Sequence, residues 1–329
     1  MHIDISIIIV NWNTKSFLLQ CLASIQDDLK NYQHEIFVVD NASTDGSVCA
    51  VKNRYPQVKV LELSENHGFS YANNIALQQC RGKYVCLMNP DIQLIEPIFP
   101  NLFEWMENHP ETGICAPRVL NADNATQKSI RKFPNNVNIF ARAIGLDRFF
   151  QKTMFYNMHH AQTVDIIHGC FWLIRHTAIK IVGGLDERFF LYAEDLDWCK
   201  RFHTAGYVLM YLPYVRIIHY GGAASRSAPT KYFLQQFRSS LLYLQKHGNK
   251  FIVNWFLMVN LFGFLVKLIG HSLVFLFLRL KASESRQKIH NNLAGLCWVL
   301  FDRNIAAKLN HNRIKEFTIR GDIKGKQTS

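Results

Sequence analysis

Residues 5–13 read ISIIIVNWN, a run dominated by β-branched residues that ends in polar and aromatic side chains. Such a run is typical of a strand buried on both faces of a sheet. Strand-like runs alternate with stretches of helical spacing after it. The strand-like runs lie at residues 35–40, 58–63 and 84–88, and the helical stretches lie at residues 16–28, after Asp45 and at about residues 69–79. This alternation predicts βαβ units and an α/β fold with a mostly parallel central sheet flanked by helices.

Polar residues gather where the predicted strands end. Residues 11–13 (Asn-Trp-Asn) follow the first strand, residues 40–41 (Asp-Asn) end the second, and residues 89–91 (Asn-Pro-Asp) follow the strand at 84–88. Ligands of parallel sheets bind at the carboxyl ends of the strands. We therefore expect these residues to form one ligand site at a single edge of the sheet.

Composition excludes several classes of protein. The chain has 329 residues, of which 49% are hydrophobic and 19% charged. It is therefore not a disordered, collagen-like or small disulfide-stabilised protein, and its mean hydropathy of −0.04 argues against a protein made mostly of membrane helices. The eight cysteines form no CxxC pair, and the N-terminus lacks a basic leader segment. We expect a reducing cytosolic compartment and no signal peptide.

The middle of the chain is less regular. Residues 117–164 are polar and resist assignment. Beyond them the sequence predicts a strand over residues 166–174, a turn at Gly183-Gly184, a helix opening near Glu194, and strands at residues 207–212 and 215–219.

The C-terminal third has a different character. Residues 231–247 predict an amphipathic helix, and residues 251–278 contain Lys267 as their single charge. This length is enough to span a bilayer, but Asn260, Lys267 and His271 form a polar stripe. An interfacial or re-entrant hairpin, a true membrane span and a soluble core helix therefore all stay open. A second amphipathic stretch at residues 289–301 and the basic tail favour attachment to a membrane surface.

Charge is unevenly distributed. The net charge is +12, and the segment from Lys281 to the end has ten Lys/Arg and four Asp/Glu, so it supplies +6 of that total. Such a block meets anionic phosphates or lipid headgroups. Nucleic-acid binding is disfavoured because the charge lies beside an apolar helix, and a transporter is disfavoured because one apolar stretch cannot line a pathway.

The sequence contains no glycine-rich phosphate loop and no G-x-S-x-G nucleophile elbow. A diphosphate would then be held by a divalent metal bound to carboxylates, and Asp91 is the leading ligand candidate. An Asx turn or a helix cap is the structural alternative for Asp91. Asp40 is suited to accept the N–H of a nucleotide base next to the stacking face of Trp12, or else it only shapes a strand-end turn. Asp45 is better explained as a helix cap.

Two further groups are candidates for chemistry. Glu194, Asp195 and Asp197 open a helix behind an aromatic run, so one of them is a candidate general base. The alternative is favourable first-turn charge with an Asp197–Arg201 pair. His219 ends a strand and is a candidate for contact with a metal or a phosphate, or else it is an ordinary surface histidine.

Together these segments resemble the family 2 glycosyltransferases of the GT-A fold, especially the rhamnosyltransferase-like branch of cell-surface polysaccharide assembly. The resemblance covers roughly residues 4–230. Seven motifs carry it in order, at residues 7–13 (IIIVNWN), 38–47 (VVDNASTDGS), 66–74 (NHGFSYANN), 87–91 (LMNPD), 183–190 (GGLDERFF), 194–201 (EDLDWCKR) and 219–222 (HYGG).

The resemblance implies roles for individual residues. Asp195 looks like the base that deprotonates the acceptor, and Asp91 matches the metal ligand of the family's DxD motif, with His219 near the metal or diphosphate. The implied nucleotide-binding residues are Val10, Trp12, Asp40, Asn66 and Asn89, and the implied supporting residues are Glu194, Asp197 and Arg201. Two departures stand out: Asn89 replaces the first Asp of DxD, and Asn73 stands where many relatives carry Arg.

The expected function is an inverting transfer of a sugar, with rhamnose as the candidate, from a nucleoside-diphosphate sugar to a saccharide or polyprenyl-linked acceptor. The alternative is a catalytically silent nucleotide-sugar or carbohydrate-binding protein on the same fold. We expect Mg²⁺ or Mn²⁺ as cofactor and no nucleic-acid partner. We also expect a GT-A domain over residues 1–230, a helical region over residues 231–329, and a cytoplasmic location at the inner face of the membrane.

Overall fold

A mixed β-sheet lies at the centre of the protein, in a computed structural model that describes residues 2–221, 229–277 and 282–301. Among these residues, nine strands form this sheet: β1 (Ile5–Asn11), β2 (His34–Asp40), β3 (Lys59–Glu62), β4 (Tyr84–Met88), β5 (Ile92–Leu94), β6 (Thr112–Leu120), β8 (Gln162–Thr163), β10 (Phe171–Arg175) and β11 (Val208–His219). A separate ribbon pairs β7 (Ile130–Arg131) with β9 (Ile166–Ile167).

Helices cover the sheet and continue beyond it. They are α1 (Lys15–Gln26), α2 (Ser47–Arg54), α3 (Phe69–Leu77), α4 (Phe99–Asn108), α5 (Asn136–Ile144), α6 (Gln151–Met154), α7 (His176–Val182), α8 (Glu194–Thr204), α9 (Pro229–His247), α10 (Lys250–Phe277) and α11 (Ala282–Phe301). The predicted division of the chain at residue 230 falls close to the start of α9 and stays a prediction.

The strand order places several chain segments at one sheet edge. The order is β3-β2-β1-β4-β10-β6-β11-β5, and β1 is parallel to both β2 and β4, in a register that sets Asn11 beside Asp40. β10 runs antiparallel to β4 and β6, whereas β6 and β11 are parallel. The prediction of a mostly parallel sheet is confirmed. Because β10 is reversed, its first residue lies at the edge where its neighbour β4 ends.

Both faces of the sheet are buried, as the β-branched run predicts. Ile7 and Ile9 pack into one hydrophobic cluster beneath the sheet, and Ile8 packs into a second cluster on the opposite face. All three side chains are fully buried. Because β1 has apolar neighbours on both sides, its end is held in a fixed position.

Two strand predictions differ from the structure. The strand predicted over residues 166–174 is interrupted at residues 168–170, where the chain passes from β9 to β10 and enters the sheet edge. The two strands predicted at residues 207–212 and 215–219 form one long strand, β11, with a register shift between Leu212 and Arg216. That shift accommodates Pro213 without ending the strand.

The C-terminal helices pack on α5 and on the chain before α8. One hydrophobic cluster joins Ile139 of α5 and Phe189 to Phe237 of α9 and Phe256 of α10. The contact is close at Gly263, where an added Cβ would collide with the carbonyl oxygen of Ala143 in α5. α9 and the first part of α10 therefore share a hydrophobic core with the rest of the protein.

The apolar segment is one uninterrupted helix. α10 spans 28 residues, so a hairpin within residues 251–278 is wrong; the chain returns only afterwards, in α11, which packs back on α10 at Gly295 and Phe264. Among the described residues, Lys250–Leu273 is the one stretch long and apolar enough to cross a membrane, and 22% of its most apolar window is buried inside the protein. The predicted basic tail beyond residue 301 lies outside the described residues.

Candidate active site

The carboxyl ends of four parallel strands meet at one edge of the sheet. Asn11 and Asp40 end β1 and β2, Asn89 and Asp91 follow β4, and His219 ends β11. The backbone N–H of Asn89 donates to the carbonyl oxygen of Cys170 (2.9 Å), which joins the start of β10 to the same edge. The predicted gathering of these strand ends is confirmed.

Asp40 is buried, and it shapes the loop that follows β2. Its Oδ1 accepts a hydrogen bond from Asn11 Nδ2 (2.8 Å), and its Oδ2 accepts one from the backbone N–H of Ser43 (2.8 Å). The strand-end turn is therefore present. Asp40 Oδ1 also accepts from Ser47 Oγ (3.5 Å), whereas Oδ2 keeps a second lone pair, so contact with a nucleotide base stays a prediction. Trp12 and Val10 are half-buried beside this strand end.

Other polar residues fix the neighbouring loops. Asp45 accepts from the backbone N–H groups of Lys15 (2.8 Å) and Ser47 (3.0 Å), the first residues of α1 and α2, although the N-cap residues of these helices are Thr14 and Gly46. Asn66 accepts from the N–H of Gly68 (3.0 Å) in an Asx turn. Asn73 donates to the carbonyl oxygen of Phe69 (2.9 Å). These residues hold the backbone that faces the strand ends.

Asp91 and His219 lie together. His219 Nε2 is 3.3 Å from Asp91 Oδ1 and 3.4 Å from Asn89 Nδ2. Gln127 donates its amide to the backbone carbonyl of His219 (2.6 Å), so its Oε1 faces His219 Nδ1 (3.0 Å) and sets the proton on that nitrogen. In the neutral ring, Nε2 then directs a lone pair at the Asp91 carboxylate.

Two acceptors facing each other fit a cation between them. A carboxylate and an imidazole nitrogen are ligands that Mn²⁺ accepts, and Mg²⁺ favours carboxylate oxygens. Among the described residues, no group of three or more His, Cys, Asp or Glu side chains is arranged as a metal site. Any ion held by Asp91 and His219 would complete its shell with substrate phosphate oxygens or water.

The predicted base enters the site through a strained turn. Tyr192 and Ala193 both have left-handed backbone, with φ of 68° and 62°, directly before α8. This turn brings Asp195 to the sheet edge, where it is buried. Its Oδ1 accepts from the N–H of Leu196 (2.9 Å), and its Oδ2 accepts from Arg131 Nη2 (2.8 Å). The carboxylate is thus oriented by two donors.

Glu194 differs from its neighbour. It is buried, and its Oε2 has no hydrogen-bond partner among the described residues. Burial, and then the negative charge of Asp195, raise the pKa of Glu194 to about 8. This carboxyl therefore keeps its proton at neutral pH, whereas both oxygens of Asp195 accept hydrogen bonds.

The raised pKa of Glu194 makes stability depend on pH. The folded protein holds this proton between the ordinary value of 4.5 and about 8, and the unfolded chain releases it. The free energy of unfolding therefore falls as pH rises through this range. We expect Glu194→Gln to abolish this pH-dependent part of the free energy of unfolding, because glutamine is uncharged at every pH. The melting temperature of the variant minus that of wild type should therefore be higher at about pH 9 than at about pH 5.

The control for this measurement is Glu104→Gln, which changes an exposed carboxylate of α4. Its melting temperature relative to wild type should stay constant over the same pH range. A Glu194→Gln difference that does not change with pH would contradict the assignment of a neutral carboxyl to Glu194.

Asp197 does not face the site. It is fully buried and contacts Arg201 Nε (2.8 Å), Lys246 Nζ (2.7 Å) and His247 Nε2 (2.7 Å). The predicted Asp197–Arg201 pair is confirmed. Arg201 also donates to the carbonyl oxygens of Val182 (2.9 Å) and Gly184 (2.7 Å). The two residues tie α8 to the Gly183-Gly184 turn and to α9, which is a structural form of support.

Sequence reasoning did not find three residues of the site. His168 lies within the electrostatic reach of Asp195, Arg131, His219 and Asp91, and its ring centroid is 6.4 Å from that of His219. Arg131 pairs with the base, and Gln127 orients His219. None of the three belongs to a recognisable motif, and the apolar run after His168 does not reveal that its strand is antiparallel to β4.

Comparison with known proteins identifies the family of this chain. The sequence profile of "Glycosyl transferase family 2" matches residues 6–182, more than half of the chain. The chain belongs to glycosyl transferase family 2. This family 2 transferase is 25% identical over 227 residues to the N-acetylglucosaminyl-diphospho-decaprenol L-rhamnosyltransferase of Mycobacterium tuberculosis, a match covering 64% of this chain and 74% of that protein.

The match to a second relative covers a larger share of that relative's chain. The family 2 transferase is 27% identical over 252 residues to rhamnosyltransferase WbbL of Escherichia coli, covering 73% of this chain and 92% of that protein. Among solved structures, it resembles mannosyltransferase PcManGT from Pyrobaculum calidifontis in complex with GDP-Man and Mn²⁺, with a TM-score of 0.56 and 16% identity over 92% of this chain and 88% of that chain. The GT-A fold is confirmed, and the protein is a glycosyltransferase that uses a sugar donor.

Proposed function

We propose that this transferase moves a sugar, with inversion at the anomeric carbon, from a nucleoside-diphosphate sugar to a saccharide carried on a polyprenyl diphosphate. The observation that carries the proposal is the convergence of Asp40, the Asp91–His219 pair and Asp195 at one sheet edge. His168 lies between the last two, since its ring centroid is 6.4 Å from that of His219 and the adjacent Gly169 packs against the Asp195 side chain.

The spacing of the strands suits a nucleoside diphosphate. Asp40 ends β2 and Asp91 follows β4, with β1 between them. Two strand spacings are about 10 Å, which allows a base at Asp40 and a diphosphate at Asp91. Trp12 and Val10 stand at the end of the intervening strand and would complete the base pocket, with Asn66 and Asn89 along the same edge.

Asp91 and His219 would hold Mg²⁺ or Mn²⁺, which when bound neutralises charge that develops on the departing diphosphate. Asn89 contributes no charge to this set. Gln127 keeps the His219 ring in the tautomer whose Nε2 is free to bind a cation.

Asp195 acts as the general base. As the acceptor oxygen bonds to the anomeric carbon, Asp195 takes its proton and the bond to the diphosphate breaks on the opposite face, which inverts the centre. One base is sufficient, whereas glycoside hydrolysis uses two carboxyl groups that flank the bond. Arg131 and the Leu196 N–H keep the Asp195 carboxylate oriented before the acceptor arrives.

Rhamnose is the proposed donor sugar, and a lipid-linked saccharide is the proposed acceptor. Two relatives are named rhamnosyltransferases, and the name of one specifies a diphospho-decaprenol acceptor. The test is release of nucleoside diphosphate from dTDP-, UDP- and GDP-sugars, with and without Mn²⁺ and acceptor. Acceptor-dependent release supports transfer, whereas binding of a donor without release would indicate the silent binding protein.

We also propose peripheral attachment to the inner face of the membrane, from the cytoplasm. Large apolar side chains stand exposed on α10 and on and near α5, among them Phe262 (54% exposed), Ile269 (62%) and Phe149 (69%). An extended apolar surface of this kind marks a membrane or protein contact. At about 1.5 Å per residue α10 is also long enough to span a bilayer, so the attachment is tested directly.

The test is flotation with vesicles of phosphatidylethanolamine and phosphatidylglycerol. Wild-type protein should float with the vesicles, and Ile269→Glu combined with Phe262→Glu should reduce the floating fraction severely, because burying a carboxylate in lipid is costly. Ile181→Glu is the matched control, since Ile181 of α7 is 69% exposed away from α10. Wild-type protein that stays at the bottom would contradict membrane attachment.

A further inference from the structure

A second cavity lies beside the predicted base, between the catalytic domain and the C-terminal helices. It has a volume of about 350 Å³ and is bounded by α5, α6, α9 and α10. Arg131, whose guanidinium pairs with Asp195, and Leu196, the residue after Asp195, both line it. The cavity therefore begins where the acceptor must present its hydroxyl group. Its volume is within the range of about 300–1,000 Å³ that is usual for small-molecule sites.

One part of the cavity wall is strongly cationic. Arg131, Lys132, Arg142 and Lys267 line it, and Asp147 is the one acidic residue of its lining among the described residues. The Arg142 guanidinium makes no hydrogen bond or ion pair with the described residues, whereas Lys267 Nζ donates to the Arg142 carbonyl oxygen (2.8 Å). Arg131 Nε is buried without a hydrogen-bond partner.

The two guanidinium groups repel each other. Desolvation, and then the positive charge of Arg131, lower the pKa of Arg142, and Asp147 offsets this only in part. Arg142 is exposed, so its guanidinium is open to an incoming anion that would reduce this repulsion. A phosphate accepts paired hydrogen bonds from arginine, so it suits these free donors.

Aromatic side chains line another part of the wall. Phe237 of α9 contacts Phe256 and Phe264 of α10, with ring centroids 5.0 Å and 5.5 Å apart. Phe233 adds a fourth ring next to Phe264. Asn260 and Lys267, two of the three polar residues of the stripe seen in the sequence, line the same cavity. The exposed apolar surface of α10 lies on the same helix.

We propose that this cavity binds the prenyl diphosphate of the lipid-linked acceptor. The phosphates would lie at Arg131 and Arg142, and the first isoprene units would lie on the phenylalanine rings and continue along α10 towards the bilayer. The attached sugar would then face Asp195. The inference rests on the proposed function, which supplies the lipid-linked acceptor, and it adds the place where the lipid is recognised.

The experiment is calorimetric titration of the full-length protein with farnesyl diphosphate, a short prenyl diphosphate. Arg142→Gln should weaken binding by a factor of about ten or more, because it removes a charge-assisted contact. Ser240→Leu, which fills the cavity from α9 without removing a core side chain, should also weaken it. Arg216→Gln is the matched control, since Arg216 lies on β11 outside the cavity and pairs with Glu96.

Two further probes separate the head from the tail. Inorganic pyrophosphate and farnesol should each bind more weakly than farnesyl diphosphate. The proposal is overturned if Arg142→Gln and Arg216→Gln bind farnesyl diphosphate equally well. It is also overturned if pyrophosphate binds as tightly as farnesyl diphosphate, because the cavity would then be a simple phosphate site.

Measurements on the donor distinguish a failure of the cavity assignment from a failure of the proposed function. Arg142→Gln should leave the affinity for nucleoside diphosphate and the slow hydrolysis of the donor unchanged. If transfer proceeds but prenyl diphosphate binding ignores Arg142, only the cavity assignment falls. If prenyl diphosphate binds as expected but no donor sugar is ever transferred, the proposed transfer reaction falls and the lipid site stands.

Discussion

Replacing Asp195 by asparagine is expected to lower turnover by about 10²–10⁴-fold, the usual contribution of general-base catalysis. Asparagine keeps the size of the side chain but cannot take the acceptor proton. Affinity for the nucleotide sugar should persist, because the proposed donor contacts lie at β1, β2 and β4 rather than on α8. The measurement is acceptor-dependent release of nucleoside diphosphate, together with calorimetric binding of the donor.

Asp197→Asn provides the contrast within the same helix. Asp197 is fully buried against Arg201, Lys246 and His247, so its neutralisation leaves cations without a partner. We expect a lower melting temperature for this variant and a smaller change in turnover per folded molecule. Near-normal turnover in Asp195→Asn would remove Asp195 from the role of base, and Glu194 would not replace it as long as it holds a proton at neutral pH.

The second large effect is expected at the metal pair. Asp91→Asn removes the one carboxylate of the Asn-Pro-Asp turn, because Asn89 is already neutral. We expect the rate to fall by about 10²-fold and the Mn²⁺ concentration for half-maximal rate to rise, since an ion would keep only His219 and substrate oxygens.

Asn89→Asp is the variant that should act in the opposite direction. The Asn89 side chain already lies 3.4 Å from His219 Nε2, so a carboxylate there would add a second acidic ligand. We expect it to lower the Mn²⁺ requirement. Asp27→Asn, at a position 86% exposed on the side chain, controls for loss of negative charge. An Asp91→Asn enzyme with the wild-type rate and metal dependence would refute the metal assignment.

The part of the site on parallel strands was predictable from sequence. A strand run that ends in Asp40 or leads to Asp91 predicts the edge at which the residue lies, because the carboxyl ends of parallel strands meet at one edge of the sheet. The dense acidic motif at the start of a helix indicated Glu194, Asp195 and Asp197 together, and the choice of Asp195 among them came from the family resemblance.

The rest depended on tertiary contacts that leave no local pattern. The apolar residues of β10 do not state that the strand runs backwards, and this reversal is what places His168 at the edge. Arg131 belongs to a two-residue strand in a segment without a motif. The polar stripe of α10 was visible, but the cavity that Asn260 and Lys267 line is also formed by α5, α6 and α9, and the close contact of Gly263 with Ala143 joins residues far apart in the sequence.

The ion-pair cluster at Asp197 has a practical consequence for anyone who trims this protein to a water-soluble catalytic fragment. Two of its three partners, Lys246 and His247, belong to the last turn of α9, so a chain that stops before that helix would leave the buried Asp197 carboxylate without two of its contacts, two residues after Asp195. Such a fragment would be more soluble, but α8, the helix that contains the proposed base, would be less stable. A fragment extending through His247, and ending before the apolar face of α10, keeps that electrostatic anchor whole.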